Sequence, residues 1–175
     1  FGISFGGRPA DKVMPGGILL RDATFVYINY GENYRDPYQI DWDAGRGEFL
    51  LKEGEDVIDT VDFVPRPQFF GKTTSRGTPM EAVAEARAQK LILTAYQKCR
   101  LWEGGKQCHF CAFFTGGHSL GEVDCEDVYE TVREALKEPG RFSEIYLSGG
   151  TDFGGEPPFS REVERYIRVL QAIGR

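Results

Sequence analysis

The chain has 175 residues and a formal net charge of −6, with 21 Lys and Arg against 27 Asp and Glu. A chain of this length can bury a core, and the absence of a basic cluster argues against a nucleic-acid partner. The longest apolar runs, such as LILTAY at 91–96, fall far short of the ~20 residues that span a bilayer. Four cysteines are too few for a disulfide-stapled secreted domain, so we expect a cytoplasmic protein with no membrane contact.

Residues 1–78 have the composition of a β-rich segment. Short apolar or alternating runs, separated by polar turn clusters, predict β-hairpins. These runs are ILLRDATFVYINY at 18–30, GEFLLKEG at 47–54 and DVIDTVDFV at 56–64. We assign residues 1–78 to an accessory domain.

The first clear helix is predicted to begin at Thr78. The hydroxyl of Thr78 can cap it, Pro79 suits the first helical position, and Glu81 completes a capping box before the run AVAEARAQ. We therefore place the domain boundary near Thr78, with a second domain at 79–175.

Beyond this helix the chain alternates strands and helices. The runs LILTAY at 91–96 and EIYLSGG at 144–150 predict buried strands. Asp124 is the predicted N-cap of one amphipathic helix, and Ser160 opens another. Such alternation predicts an α/β fold in which a parallel sheet is covered by helices.

Three of the four cysteines lie in the thirteen residues CRLWEGGKQCHFC, from Cys99 to Cys111, directly after the first predicted strand. An odd number of thiols cannot all pair locally, so a metal site fits better than disulfides. A glycine-rich segment, SGGTDFGGEPP at 148–158, follows the second strand. Because ligands bind at the carboxyl ends of parallel strands, both loops should border one cavity.

This combination resembles the radical S-adenosylmethionine superfamily. The triplet ends in Cys-x-aromatic-Cys, with Phe110 between Cys108 and Cys111, and YLSGG at 146–150 is similar to the family's glycine motif. The resemblance covers roughly residues 88–175. It implies the N-terminal portion of a (β/α) partial TIM-type barrel with parallel strands, preceded by the β-rich accessory segment.

Two features differ from the commonest form of the family. Eight residues separate Cys99 from Cys108, where the usual pattern has three. Thr151 and Asp152 follow the glycines in place of the usual Glu, and a literal Gly-Gly-Glu occurs only at 154–156. Either 148–151 or 154–156 could therefore contact the cofactor, and we favour 148–151 because it directly follows the strand.

The resemblance implies a role for each of these residues. Cys99, Cys108 and Cys111 would hold a 4Fe-4S cluster, and the iron without a thiolate would bind the amino and carboxylate groups of S-adenosylmethionine. Reductive cleavage of S-adenosylmethionine would then release a 5′-deoxyadenosyl radical. Phe110 would shield the cluster near the adenine. The methionine amino group would be contacted by Ser148, Gly149, Gly150 and Thr151. No catalytic residue beyond these is assigned.

Two other kinds of site use the same cysteines. Cys99, Cys108, Cys111 and His118 could form a closed tetrahedral zinc site in an interaction module. A simple electron-transfer ferredoxin would need a fourth thiolate, and Cys125 is a poor one because it falls on the apolar face of its predicted helix. Neither alternative accounts for the glycine-rich segment.

The chain is too short for a whole barrel of this kind. Such a barrel normally has about six βα units, against the eight of a closed barrel, and residues 90–175 contain two clear units. We therefore expect the remaining strands to come from the same polypeptide or another chain. They would cover the apolar face formed by Leu91, Leu93, Ile145 and Leu147. The other expected partners are S-adenosylmethionine, a substrate that the residues do not identify, and an electron donor such as flavodoxin or ferredoxin.

Overall fold

A computed structural model of the chain describes residues 4–6, 17–27, 38–109, 111 and 121–175. The chain divides into two compact units, residues 1–66 and 67–175. Residues 67–78, which we assigned to the accessory domain, belong to the second unit by their contacts. Phe69 is fully buried in its core, and the Thr74 hydroxyl donates a hydrogen bond of 2.7 Å to Asp127. None of the described helices is long and apolar enough to cross a membrane.

The first unit contains one twisted sheet of short strands. The strands are β1 (Ser4–Gly6), β2 (Gly17–Leu20), β3 (Phe25–Tyr27), β4 (Tyr38–Asp43), β5 (Glu48–Glu53) and β6 (Asp56–Phe63). Their order is β1-β4-β5-β6-β2-β3. Among the described strands, β1 alone pairs in parallel, with β4, and the other neighbours are antiparallel. The predicted strands within 18–30, 47–54 and 56–64 are confirmed.

Alternation along these strands builds the core of the first unit. In the ladder Ile40 is opposite Leu51, and Ile18 is opposite Phe63, so their side chains share one face of the sheet. Ile40 is fully buried and Ile18 nearly so, and the rings of Phe49 and Phe63 meet edge to face at 4.9 Å. The cross-strand apolar pairs therefore set the register of the sheet.

In its described residues the second unit combines a small sheet with four helices. The strands are β7 (Ala84–Arg87), β8 (Lys90–Tyr96) and β9 (Glu144–Gly149), in the order β7-β8-β9. The helices are α1 (Met80–Val83), α2 (Arg100–Glu103), α3 (Cys125–Ala135) and α4 (Ser160–Ile173). Strand β7 is antiparallel to β8, and β9 is parallel to β8. The predicted strands β8 and β9 and the predicted helices α3 and α4 are confirmed.

We predicted a long helix beginning near Thr78, and this prediction is wrong beyond the single turn of α1. The Thr78 hydroxyl does not cap α1 but donates to Asp127 at 2.8 Å. Glu81 likewise does not complete a capping box, because its carboxylate accepts a hydrogen bond from the backbone of Gly71. Both polar side chains bond to residues distant in sequence, so the local capping signal is overridden by tertiary contacts.

The run after α1 forms strand β7 instead of a longer helix. Ala84 and Ala86 are buried while Glu85 and Arg87 are exposed, which is the period of a strand. A two-residue loop, in which Ala88 adopts φ of 50°, returns the chain into β8. β7 and β8 are therefore a hairpin, where we expected a helix followed by a strand.

The predicted fold class, the first portion of a parallel (β/α) partial TIM-type barrel, is therefore wrong. The sheet of the first unit is antiparallel apart from β1, and the sheet of the second is mixed. The physical reason is the β7–β8 hairpin, which places an antiparallel strand where a barrel would continue with parallel ones. Within the second unit, the parallel pairing of β8 with β9 is as expected.

The core of the second unit lies under its own helices. Leu91 and Leu93 on β8 are completely buried, in one cluster with Val128 and Val132 of α3 and Val169 of α4. Our expectation that absent elements would cover this face is therefore wrong for Leu91 and Leu93. Ile145 and Leu147 of β9 are partly buried against the same cluster.

The alternation of buried and exposed residues along β7 gives a first test. Ala86→Leu should lower the free energy of unfolding by about 1–3 kcal/mol, because added methylenes overpack a buried strand position. The matched control is Glu85→Leu at the neighbouring position, which should change the free energy of unfolding little because Glu85 is exposed. Urea unfolding measures both. An equal or larger loss for Glu85→Leu would contradict the strand assignment.

Candidate metal centre

The carboxyl ends of β8 and β9 lie side by side. In the parallel ladder Thr94 pairs with Ser148, and Tyr96 pairs with Gly149 after a register shift. Cys99 follows the end of β8 by three residues and is the N-cap of α2. The first cysteine and the glycine segment at 148–151 therefore share one edge of the sheet, as the sequence predicted.

Gly150 is the point of closest contact between the two strand ends. Its backbone N–H donates to the carbonyl oxygen of Tyr96 at 2.9 Å. A Cβ atom on Gly150 would lie 1.8 Å from the carbonyl oxygen of Lys98 and 2.8 Å from Cβ of Cys99. Only glycine fits here, so the glycine motif is required for the two chain segments to pack, whatever else approaches them.

Thr151 connects this contact to the Cys99 thiol. The carbonyl oxygen of Thr151 accepts a hydrogen bond of 2.9 Å from the backbone N–H of Arg100. Burial, the largest single influence, raises the pKa of the Cys99 thiol, but hydrogen bonds from the backbone of Thr151, Trp102 and Leu101 and from the Thr151 hydroxyl together lower that pKa below its ordinary value. The thiolate, the form that binds metals, is therefore favoured at Cys99.

The other two predicted ligands are joined by a backbone hydrogen bond. The backbone N–H of Cys111 donates to the carbonyl oxygen of Cys108 at 3.0 Å. Cys108 is exposed and Cys111 is partly buried, so both thiols are accessible to a ligand. Phe110, the predicted cluster-shielding residue, and His118, the alternative zinc ligand, lie outside the described residues.

The donor chemistry fits a thiolate-bound cluster, although the thiols are not gathered at one point. Cys99, Cys108 and Cys111 are free thiols, and the pKa of Cys99 is lower than its ordinary value. Across the described ranges, no three side chains of His, Cys, Asp or Glu are close enough together to hold a metal ion. Metal binding commonly completes the folding of its own ligand loop, so three free thiols in one loop remain a suitable donor set.

Cys125 contributes to packing. It is the first residue of α3, and its side chain packs partly buried against the hydrophobic core. The carboxylate of Asp124 caps the helix by accepting from the backbone N–H of Glu126 at 2.8 Å. This arrangement agrees with our interpretation of Cys125 as a small apolar residue.

A buried ion pair, which the sequence analysis did not identify, anchors the loop after β9. Asp152 is 1% exposed, and its carboxylate accepts from Arg165 at 2.7 Å and from the backbone N–H of Gly154 at 2.9 Å. Arg100 and Arg161 approach the same carboxylate at 3.9 and 3.8 Å. The hydrogen bond from Arg165, followed by that from Gly154, lowers the pKa of Asp152.

One sequence signal could have revealed this pair. Arg165 shares the buried face of α4 with Val169 and Ala172, at spacings of four and seven. A cation on the apolar face of a helix is stable only beside a buried anion. The nearest loop carboxylates were Asp152 and Glu156, and Asp152-x-Gly154 is typical of a side chain that caps its own turn.

The two candidate cofactor segments have different neighbours. Residues 148–151 contact the backbone around Cys99. Gly154 packs instead against the guanidinium of Arg161, whose carbon would be 2.7 Å from an added Cβ, and Glu156 is exposed. The positions of these neighbours favour 148–151 as the segment next to the cysteines.

Comparison of the chain with models of protein families, with curated proteins and with solved structures found no match. No relative therefore assigns a role to Cys99, Gly150 or Asp152. Their chemistry and contacts are the basis for a functional assignment.

The Gly150 contact gives a second test. Gly150→Ala should lower the free energy of unfolding by about 1–3 kcal/mol or more, since the new methyl would overlap the Lys98 carbonyl. Gly174→Ala is the matched control, because its Cβ would meet only ordinary contacts of 3.5 Å and beyond. Thermal and urea unfolding compare the variants. Equal stability of the two would show that the strand ends are not packed as described.

The Asp152–Arg165 pair gives a third test. Asp152→Asn should lower the free energy of unfolding at pH 7 by about 3–5 kcal/mol, because Arg165 would remain buried without its anion. The folded pKa of Asp152 is lower than its ordinary value of 3.8, so the wild-type contribution is complete above pH 3.8 and is lost as the pH falls through the folded pKa. The Asp152→Asn variant should lack this part of the acid dependence.

The control for this test is Glu103→Gln, which breaks an exposed pair with Arg100. It should leave both the stability at pH 7 and its acid dependence nearly unchanged. Urea midpoints measured from pH 2 to 7 give the comparison. Parallel pH curves for wild type and Asp152→Asn would contradict the proposed role of the buried pair.

Proposed function

We propose that this chain is a radical S-adenosylmethionine enzyme that binds a 4Fe-4S cluster through Cys99, Cys108 and Cys111. The observation that supports this most is the contact between the Cys99 segment and the glycine segment at the neighbouring ends of two parallel strands. This contact needs only two parallel strands, so it does not depend on a barrel.

The residues of the chain prepare this site in three ways. Hydrogen bonds from Thr151 and from the first turn of α2 favour the thiolate of Cys99, which is the metal-binding form. The exposed Cys108 and the partly buried Cys111 supply two further thiols. Three thiolates leave one iron of a four-iron cluster open to another ligand, which separates this proposal from an electron-transfer ferredoxin.

The glycine segment is the proposed contact for S-adenosylmethionine. Ser148, Gly149, Gly150 and Thr151 end β9 beside Cys99, and two positions without side chains let a ligand approach the backbone. Phe110 is proposed to shield the cluster near the adenine. The buried Asp152 holds the chain directly after Thr151, which restricts the movement of the segment.

Held by these cysteines, a reduced cluster would supply one electron to the sulfonium of S-adenosylmethionine, whose carbon–sulfur bond would break to give methionine and a 5′-deoxyadenosyl radical. The proposed electron donor is a flavodoxin or ferredoxin. Accessible unpaired thiols of this kind persist in a reducing compartment, so we place the protein in the cytoplasm.

Anaerobic reconstitution tests this proposal. With iron and sulfide, the wild-type chain should bind about four of each and give a reducible cluster, whose electron paramagnetic resonance signal changes on addition of S-adenosylmethionine. The triple variant Cys99→Ala, Cys108→Ala, Cys111→Ala should bind no cluster. Cys125→Ala is the matched control and should bind it normally.

Two outcomes would contradict the proposal. One is a triple variant that still holds the cluster. The other is protein purified without air that contains stoichiometric zinc and neither iron nor sulfide, which would instead support the zinc-stabilised module with His118 as fourth ligand.

A further inference from the structure

The small sheet of the second unit has two edges that differ in how open they are to a further strand. Strand β7 is four residues long and presents the charged side chains of Glu85 and Arg87 to solvent. Strand β9 is six residues long, and within the described residues no strand pairs with its outer side. Short length, charged side chains and proline are common means by which an edge strand avoids pairing with another chain. Of these, β9 has only Glu144, its first residue, so β9 is the edge that can accept a strand.

Helix α4, which follows β9 in the chain, exposes an apolar stripe formed by Val163, Ile167 and Leu170. These residues are spaced four and three apart, so they lie on one face of the helix. Their exposed fractions are 54%, 47% and 56%, whereas Val169 on the face that packs against the core is 2% exposed. Phe159, one turn before Val163, is exposed as well. A contiguous apolar surface of this kind indicates an interaction site.

The apolar stripe lies on the side of α4 that is turned away from α3. On the α3 side, Arg168 bonds to Glu122 and Arg175 bonds to Glu126, which are residues just before and within α3. Helix α3 contacts β7, whereas α4 contacts β8, so α4 is the helix nearer to the β9 side of the sheet. The apolar stripe and the open edge of β9 therefore lie on the same side of the unit.

The apolar stripe is complementary to a second copy of itself. Val163 and Leu170 lie on either side of Ile167 at nearly equal distances along the helix. A twofold axis close to Ile167 would place Val163 of one protomer against Leu170 of its partner, and the reverse contact would follow by symmetry. An edge strand has the same property, because a strand can pair antiparallel with a copy of itself.

The charges beside the stripe favour this antiparallel arrangement. Glu164 makes no hydrogen bond or ion pair with any described residue, and Arg168 bonds to Glu122 through one of its two Nη atoms. A guanidinium has five N–H donors, so Arg168 can bind a second carboxylate. In an antiparallel pair of α4 helices, Glu164 of one protomer lies near Arg168 of its partner. A parallel pair would place like charges together.

We propose that the outer edge of β9 and the apolar stripe of α4 form the interface of a twofold-symmetric dimer of this chain. The two β9 strands pair antiparallel and join two three-stranded sheets into one sheet of six strands. The two α4 helices pack antiparallel on the same face of that sheet. Helix α4 is about 21 Å long and β9 about 20 Å, so one axis can pass near the middle of both.

Sedimentation equilibrium of the full chain tests the dimer, with a reductant present so that disulfides do not link the copies. The wild-type chain should have twice the mass of one chain at micromolar concentration. Leu170→Glu should raise the dissociation constant of the dimer about a hundredfold or more, because it buries a charge in the apolar centre of the interface. Leu136→Glu is the matched control, since Leu136 at the end of α3 has the same exposed fraction of 56% and lies outside the interface. Circular dichroism should show that both variants fold.

Two charge-reversal variants test the antiparallel arrangement. Glu164→Arg and Arg168→Glu should each weaken the dimer about tenfold, because each variant places like charges at a contact that occurs twice in the dimer. An equimolar mixture of the two variants should dimerise about as tightly as the wild type. In the mixed dimer, both contacts again join a carboxylate to a guanidinium.

Hydrogen exchange tests the strand pairing separately. Amide hydrogens of β9 that point away from β8 should exchange more slowly in the dimer than in the Leu170→Glu monomer.

The proposal is overturned if the wild-type chain stays monomeric at millimolar concentration, or if Leu170→Glu dimerises as tightly as Leu136→Glu. A mixture of the charge-reversal variants that associates no better than either variant alone would also overturn it, as would β9 amides that exchange equally fast in dimer and monomer. None of these measurements uses a bound cluster, so their outcome is independent of the cluster reconstitution.

Discussion

The architecture of the second unit depends on how closely two strand ends approach each other at Gly150. The Lys98 carbonyl occupies the space that any side chain at this position would need. Because the chains touch there, the backbone of Gly150 bonds to Tyr96, and the carbonyl of Thr151 bonds to the backbone of Arg100. These bonds hold Cys99 at the start of α2 and surround its sulfur with donors. One steric requirement thus fixes the position of the first candidate ligand and contributes to the lowered pKa of its thiol.

The loop beyond this contact is held from the opposite side by a single guanidinium. Arg165 reaches from α4 to the buried Asp152, and its planar group also lies over the ring of Tyr96, 4.1 Å from the centroid. Arg165 also lines a cavity between the end of β8, the segment before α3 and α4, and its buried Nε atom lies 3.4 Å from a Glu122 oxygen. Since the guanidinium is rigid and planar, its bond to Asp152 also sets the direction of its other N–H groups. The strand-end loop and the cavity are therefore supported by the same side chain.

The elements that the sequence predicted correctly are those with a strong local period. Helices α3 and α4 and strands β8 and β9 pack against the core, and their apolar spacing predicts each as a helix or a strand. On α4 the spacing does not give the buried face, because Val163, Ile167 and Leu170 are exposed while Val169 and Ala172 are buried. Strand β7 has no such signal, because its two buried residues, Ala84 and Ala86, are good helix formers preceded by an apparent capping box. This segment forms a strand because it pairs with β8. A local sequence pattern does not predict such a pairing. The fold class failed for the same reason, since it depends on which strands pair rather than on which segments are strands.

The sequence predicted which two segments of the candidate site lie side by side, because strand pairing determines this. It did not predict where Cys108 and Cys111 lie, and charge bears on their positions. Parallel pairing of β8 with β9 is enough to bring Cys99 to Thr151, whereas the position of Cys108 and Cys111 depends on a loop of their own. Three thiolates held within a few ångströms of each other repel strongly where water is excluded, and a bound cation is what offsets that repulsion. Cys108 is exposed to solvent in this structure, away from such repulsion. In the proposed function, Cys99 would be the preorganised ligand, held by the fold, while Cys108 and Cys111 would be brought to the cluster when it binds.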